Sequence, residues 1–134
     1  DSDWIEAIEA FALPVLVHSG EHVPPASLEQ GLIRRVSSPV VLGHLGSFPA
    51  SAPHLMQAID LAERYPHVLL ETSGCWLAAF VALASRRVPD QVLFGSDTPL
   101  MHPAVAWRLV ATAVNSDKQC ERIAYRTAEQ VLGW

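Results

Sequence analysis

Three stretches place chemically capable side chains directly after short apolar runs. They are Val15-Leu16-Val17-His18-Ser19-Gly20, Val40-Val41-Leu42-Gly43-His44-Leu45-Gly46 and Gln91-Val92-Leu93-Phe94-Gly95-Ser96-Asp97-Thr98-Pro99. An apolar run that stops at glycine, histidine or an aspartate shortly before proline reads as a buried strand delivering its last side chain to its C-terminal rim. Neutral imidazole nitrogen and carboxylate oxygen are both good zinc ligands, and a catalytic zinc typically keeps three protein ligands and an open water position. His18, His44 and Asp97 together therefore fit metal-assisted hydrolysis. Water on such an ion has a pKa lowered to near 7, and a neighbouring carboxylate or imidazole can take its proton and pass it to a leaving group. Taken singly, each residue also has a plainer reading. A histidine at a strand end is commonly a hydrogen-bonded polar residue, and Asp97 can be the Asx residue of a turn.

Weaker candidates surround these three. His22 and His102 fall in rim loops within reach of a substrate. Glu71 and Ser73 end a third strand, where one of them can point into the same pocket. Cys75-Trp76 can line that pocket or start a helix in the core. His54 and His67, in or just after a helix, read as solvated.

The elements that must position these residues follow a regular cadence. Asp3 can cap a first helix with Ile5, Ile8, Phe11 and Ala12 as its apolar stripe, ended by Pro14. Val15 to Val17 are apolar on both faces, which belongs in a parallel sheet covered by helices. Ser27 with Gln30 predicts a capping box for a helix through Leu28, Leu32, Ile33 and Val36. Ser51 and Pro53 start another, with Leu55, Ala58, Ile59 and Ala62 inward until Tyr65-Pro66 stops it. Val68 to Leu70 is the third strand, followed by a short apolar helix from about Trp76 to Ala84. Val92 to Phe94 is the fourth strand. Pro103 opens a helix through Val105, Leu109 and Val110, and Ser116 with Gln119 caps a last one whose face is Cys120, Ile123, Ala124, Thr127, Ala128 and Val131. Strand starts at Val15, Val40, Val68 and Val92 are 25, 28 and 24 residues apart, the spacing of successive βα units joined by right-handed crossovers. The fold class is α/β. A complete (β/α)₈ barrel takes roughly 250 residues, about 31 per unit, so four strands make half a barrel or a small open sheet.

The totals bound the function. With 134 residues, 50% of them hydrophobic, the chain has material for one domain with a real core. No apolar run approaches the ~20 residues of a membrane span. A net charge of -5 with nine dispersed Lys and Arg argues against a nucleic-acid partner, which needs clustered cations. Arg34-Arg35 and Arg86-Arg87 are explained by helix C-termini. The two cysteines, Cys75 and Cys120, lack metal-like spacing and read as reduced thiols. With an acidic N-terminus that lacks the basic region of a signal peptide, the expected location is cytoplasmic.

The ordered motifs resemble the C-terminal half of the metal-dependent amidohydrolase-related family, the branch that includes aminocarboxymuconate-semialdehyde decarboxylase and related TIM-barrel hydrolases. Leu13 to Gly20 is similar to the fifth barrel strand, Val40 to Gly46 to the sixth, Leu61 to Gly74 to the helix and seventh strand, and Val92 to Pro99 to the eighth. Arg126 to Gly133 resembles the closing helix. The resemblance covers the chain almost end to end and implies one partial domain over residues 1–134, strands 5–8 of a (β/α)₈ barrel. It implies that His18 and Asp97 are ligands of a divalent metal, most readily zinc, and that Asp97 also orients or deprotonates the metal-bound water. His44 would be a ligand in some branches and an acid/base in the decarboxylase branch. Two departures stand out. Thr127 replaces the usual Asn of the closing helix, and the first-strand His-x-His pair that supplies two further ligands has no counterpart here.

The leading expectation is a parent enzyme that hydrolyses a C–N, C–O or lactone bond at a divalent metal. Decarboxylation at such a metal is the first alternative, and an inactive half-barrel needing a partner half is the second. A doubly wound binding domain ranks below both, because no glycine-rich phosphate loop opens a helix. The expected partners are a small-molecule substrate and either a second copy or the missing N-terminal half, with no nucleic acid and no membrane.

Overall fold

The structure is a computed structural model describing residues 2–133. Four parallel strands form one sheet in sequential order: β1 (Val15–Val17), β2 (Val40–Leu42), β3 (Val68–Glu71) and β4 (Val92–Leu93). The register aligns Val15 with Val40 and Val40 with Val68, and Leu70 with Val92. A doubly wound sheet reverses its strand order at a switch point. Here each new strand adds to the same side, which is how a barrel wall grows. Among the described residues seven α-helices accompany the strands: α1 (Ser2–Phe11), α2 (Pro25–Gly31), α3 (Ala52–Arg64), α4 (Ala78–Arg87), α5 (Pro103–Ala113), α6 (Asp117–Glu121) and α7 (Thr127–Leu132).

Strand alternation divides the side chains into two sets. Val40, Leu42, Val68, Leu70 and Val92 are fully buried and join Leu55, Ala58, Ile59, Val81, Ala84 and Ile123 in the core beneath the helices. The other set, Leu16, Val41, Leu69, Glu71 and Leu93, faces the concave side. On β2 and β3 both sets are buried, as a parallel sheet requires. On β1 they are not: Leu16 is 68% exposed. The expectation that β1 is covered on both faces fails because it is an edge strand at the open side of the sheet.

Several helix ends differ from the sequence reading. Asp3 lies inside the first turn of α1 instead of capping it. The stripe expected on α1 is only partly used, since Ile5 and Ile8 pack on the core while Phe11 is exposed and the helix stops before Ala12. α2 begins two residues ahead of Ser27, because Pro25 occupies its first turn, where a missing N–H costs nothing. Leu32 ends α2, and Ile33 to Arg35 continue as a 3₁₀ turn that buries Ile33. α4 starts at Ala78, after Trp76, and runs on to Arg87. Ser51 and Ser116 cap α3 and α6 as expected, accepting from His54 N and Gln119 N.

The last helix is interrupted. Between α6 and α7 the backbone takes a π turn over Arg122–Arg126. The carbonyl of Ile123 accepts the Phe94 N–H at 2.9 Å, so the end of β4 is tied to this helix and not to a fifth strand. Gly133, at φ 73°, closes α7 in the left-handed conformation. No described helix is long and apolar enough to cross a membrane.

Candidate active site

His18, His44 and Asp97 come together at the C-terminal rim of the sheet, the end where parallel α/β folds build sites. They line one cleft of about 150 Å³ with Leu16, Gly43, Glu71 and Ser73. His18 Nδ1 and His44 Nε2 are 2.9 Å apart, with the rings edge to face. Asp97 stands on the same wall. A Cβ added to Gly74 would lie 2.7 Å from His44 Nδ1 and 3.3 Å from Asp97 Oδ2, so the glycine leaves room for both groups.

The backbone works to present these residues. Four non-glycine residues among those described have positive φ, and three are His44, Leu45 and Asp97. Such conformations cost of order 1–3 kcal/mol each and persist only where surroundings impose them. Leu45, fully buried, anchors the first pair. Ser47 donates to the His44 carbonyl from both its N–H and its hydroxyl. On the other side the Asp97 carbonyl accepts from Leu100 N at 2.8 Å. Thr72 Oγ1 accepts the Gly95 N–H at 3.2 Å and reaches the Gly95 carbonyl at 3.3 Å, which cross-links β3 to the segment carrying Asp97.

Both candidates at the end of β3 enter the cleft. Ser73 N donates to Glu71 Oε1 at 2.8 Å, and Ser73 Oγ donates to Oε2 at 2.6 Å. His44 Nδ1 in turn lies 2.9 Å from the Ser73 carbonyl and 3.1 Å from Ser73 Oγ. A continuous chain thus runs Glu71, Ser73, His44, His18. Glu71 is only 7% exposed, and its carboxylate fills the space where a side chain on Gly95 would stand.

Phe48 went unread in the sequence, although an aromatic before a proline in the loop after β2 is a usable signal. It packs 5.4 Å from His18, 5.0 Å from His44 and 6.2 Å from Trp76, centroid to centroid. Its backbone pairs with Gly20 and Glu21 in the loop after β1. Trp76 is half exposed and extends this aromatic wall. Cys75 instead turns inward, its thiol 3.6 Å from the Leu77 carbonyl, and burial pushes its pKa up.

The remaining histidines do other work. His102 is the N-cap of α5, its Nδ1 accepting the Ala104 N–H. His67 is half-buried, and its Nε2 bonds the Ile33 carbonyl at 3.1 Å. His54 is half-buried with Nδ1 unpartnered. His22 is exposed in the loop after β1, outside the cleft lining. A larger groove of about 470 Å³ lies by Asp90 and α6, at the opposite end of β4. Its guanidinium groups are already paired, Arg122 with Asp90 and Arg126 with Glu121 and Glu129, so the chemistry stays with the smaller cleft.

The donor set suits a divalent ion: two imidazoles and a carboxylate that accepts no hydrogen bond from any described residue. Among the described residues, however, no group of three His, Cys, Asp or Glu closes into a metal site. His18, His44 and Asp97 line the same cleft, together with Glu71 and Ser73.

Parallel strands added in sequential order, each followed by a helix, are the arrangement of part of a (β/α)₈ barrel. The family model described as Amidohydrolase matches residues 2–134, and this chain belongs to that family. No curated protein matches it significantly. Among solved structures, a TIM-barrel protein from Bordetella bronchiseptica superposes with a TM-score of 0.78 at 21% identity over 98% of this chain and 50% of that one. A dihydroxybenzoic acid decarboxylase from Polaromonas sp., with bound manganese and the inhibitor 2-nitroresorcinol, matches at 0.69 and 16% over 96% and 52%. An amidohydrolase from Burkholderia multivorans with bound zinc matches at 0.71 and 18% over 99% and 58%. At these identities the likeness establishes the fold. The chain spans about half the length of the structures it matches.

Proposed function

We propose that this chain is the acid/base and part-ligand wall of a metal-dependent decarboxylase acting on a small carboxylate with a flat ring. The observation that carries the reading is His44: its Nδ1 is held by Ser73 while its Nε2 faces the cleft beside His18. His18 and Asp97 are the residues here that would hold a divalent ion, which supplies Lewis-acid stabilisation of developing negative charge when bound. The wall formed by Phe48 and Trp76 offers an aromatic face for a planar ring. His44, protonated on both nitrogens, gives its Nε2 proton to the ring carbon that bears the carboxylate. The C–C bond then breaks, its electron pair returns to the ring, and carbon dioxide leaves. The support from relatives is that several structures of similar fold are decarboxylases of hydroxylated benzoates or of carboxyvanillate.

Hydrolysis is the second reading, favoured by Asp97. A carboxylate free of hydrogen bonds at the cleft wall suits a base that takes a proton from water. The two are separated by assaying the full-length protein, loaded with manganese or zinc, against hydroxylated benzoates for carbon dioxide release and against lactones and amides for hydrolysis. The expected result is carbon dioxide release that falls by about 10²–10⁴-fold in His44→Gln, the usual range for losing a positioned acid/base. Lactone or amide turnover without carbon dioxide release would replace this reading with the second.

A further inference from the structure

Glu71 is a buried carboxylate that forms no ion pair with any described residue. The fold makes room for it by placing glycine at position 95, where any Cβ would overlap its Oε1. Both of its oxygens are spent on one residue, Ser73, through the N–H at 2.8 Å and the hydroxyl at 2.6 Å. Ser73 then meets His44 Nδ1 with two oxygens, the carbonyl at 2.9 Å and Oγ at 3.1 Å.

The direction of these bonds follows from counting protons. A serine hydroxyl has one hydrogen. Donated to Glu71, it leaves Oγ able only to accept from His44, and the carbonyl beside it can only accept. Both partners of Nδ1 are then acceptors, so Nδ1 must carry a proton. Were the hydroxyl free to rotate, it could donate to Nδ1 instead, compete with the carbonyl and favour the ring form with its proton on Nε2. We propose that Glu71, through Ser73, is a positioning residue that holds His44 in the Nδ1–H tautomer and so leaves Nε2 as the acceptor at the cleft, where His18 Nδ1 lies 2.9 Å away. This rests on the reading of His44 as the proton-transferring group and specifies it. After His44 gives up its Nε2 proton, the neutral ring left behind is the form that Ser73 already holds.

The competition between carbonyl and hydroxyl gives a test that simple packing would not reproduce. In Glu71→Gln the side-chain amide can donate to Ser73 Oγ, which frees the hydroxyl proton to turn toward His44. In Ser73→Ala the competing hydroxyl is gone while the carbonyl remains. Tautomers are read by nitrogen NMR of full-length, zinc-loaded protein labelled at histidine, with kcat and KM measured alongside. Wild type and Ser73→Ala are expected to show the neutral His44 ring with its proton on Nδ1 alone. Glu71→Gln is expected to show both tautomers and about a tenfold lower kcat at similar KM. Combining Glu71→Gln with Ser73→Ala is expected to restore the single tautomer and most of the lost kcat. Wild-type His44 protonated on Nε2 alone would overturn the proposal, as would Glu71→Gln with an unchanged tautomer, or a double variant that fails to restore it. The wild-type spectrum decides the tautomer even if a variant fails to fold. It needs no substrate, so it stands apart from whether the protein releases carbon dioxide.

Discussion

Glu29 shows what one residue does for the frame outside the cleft. Its carboxylate accepts from both Arg64 Nη atoms, from the Tyr65 hydroxyl at 2.9 Å and from Arg34. It thereby ties α2 to the end of α3. The Arg64 and Tyr65 hydrogen bonds, followed by the attraction of Arg64, bring its pKa from 4.5 down to about 2. Because the folded value lies below the unfolded one, this contribution is fully present above about pH 4.5 and is lost as pH falls toward 2. Denaturant midpoints taken from pH 7 to pH 3 are expected to fall less steeply in Glu29→Gln than in wild type, and parallel curves would refute the assignment. Within the cleft, Gly95→Ala sets a methyl against the Glu71 carboxylate. Overpacking of this kind typically costs 1–3 kcal/mol, and thermal unfolding of the variant checks it. Recovery of the lost stability in Gly95→Ala combined with Glu71→Ala would trace the cost to that one contact.

At the scale of elements, the segment from α6 to α7 both packs the core and holds the end of β4. Ile123 is fully buried, and its carbonyl takes the Phe94 N–H. Ile123→Ala is expected to lose about 2–5 kcal/mol, the range for truncating a large buried aliphatic side chain, read as a lower denaturant midpoint at an unchanged slope. This segment also marks the limit of sequence reading. The spacing of Ile123 and Thr127 locates a buried helical face, and both are buried. The π turn between α6 and α7 is not legible in that spacing, because Ile123 and Thr127, four residues apart, fit one face of an ordinary α-helix equally well. Strands were legible at Val15, Val40, Val68 and Val92, since continuous β-branched runs bounded by Gly, Pro or polar residues have few other uses. The start of α4 was not. Trp76-Leu77 is as apolar as the helix that follows, and only the fold leaves it exposed against Phe48. His18, His44 and Asp97 could be placed at one rim from topology alone. That His102 would cap α5 and that Glu71 would be hydrogen-bonded to His44 through Ser73 depended on side-chain directions, which spacing does not carry.

Among the described residues the sheet has two free edges, because β1 pairs only with β2 and β4 only with β3. Unpaired edge strands offer rows of N–H and C=O groups to any further strand, and a barrel removes the hazard by closing on itself. The apolar surface lies where closure would cover it. Leu16 on the concave face is 68% exposed, and Leu13, Phe11 and Trp4 lead into the same edge with 62%, 72% and 75% exposure. The cleft agrees: about 150 Å³ is below the roughly 300–1,000 Å³ of sites that enclose a small molecule, as one wall of a larger cavity would be. We therefore expect the 134-residue chain, produced alone, to associate with itself as its concentration rises. Light scattering over a dilution series measures this. Leu16→Asp, which places a charge on the concave face beside the open edge, is expected to lower the associated fraction. Supplying the complementary four βα units should give a monodisperse species of about twice the mass. A chain that stays monomeric at all concentrations, and whose Leu16→Asp variant behaves identically, would mean that these edges are protected without a second half-barrel.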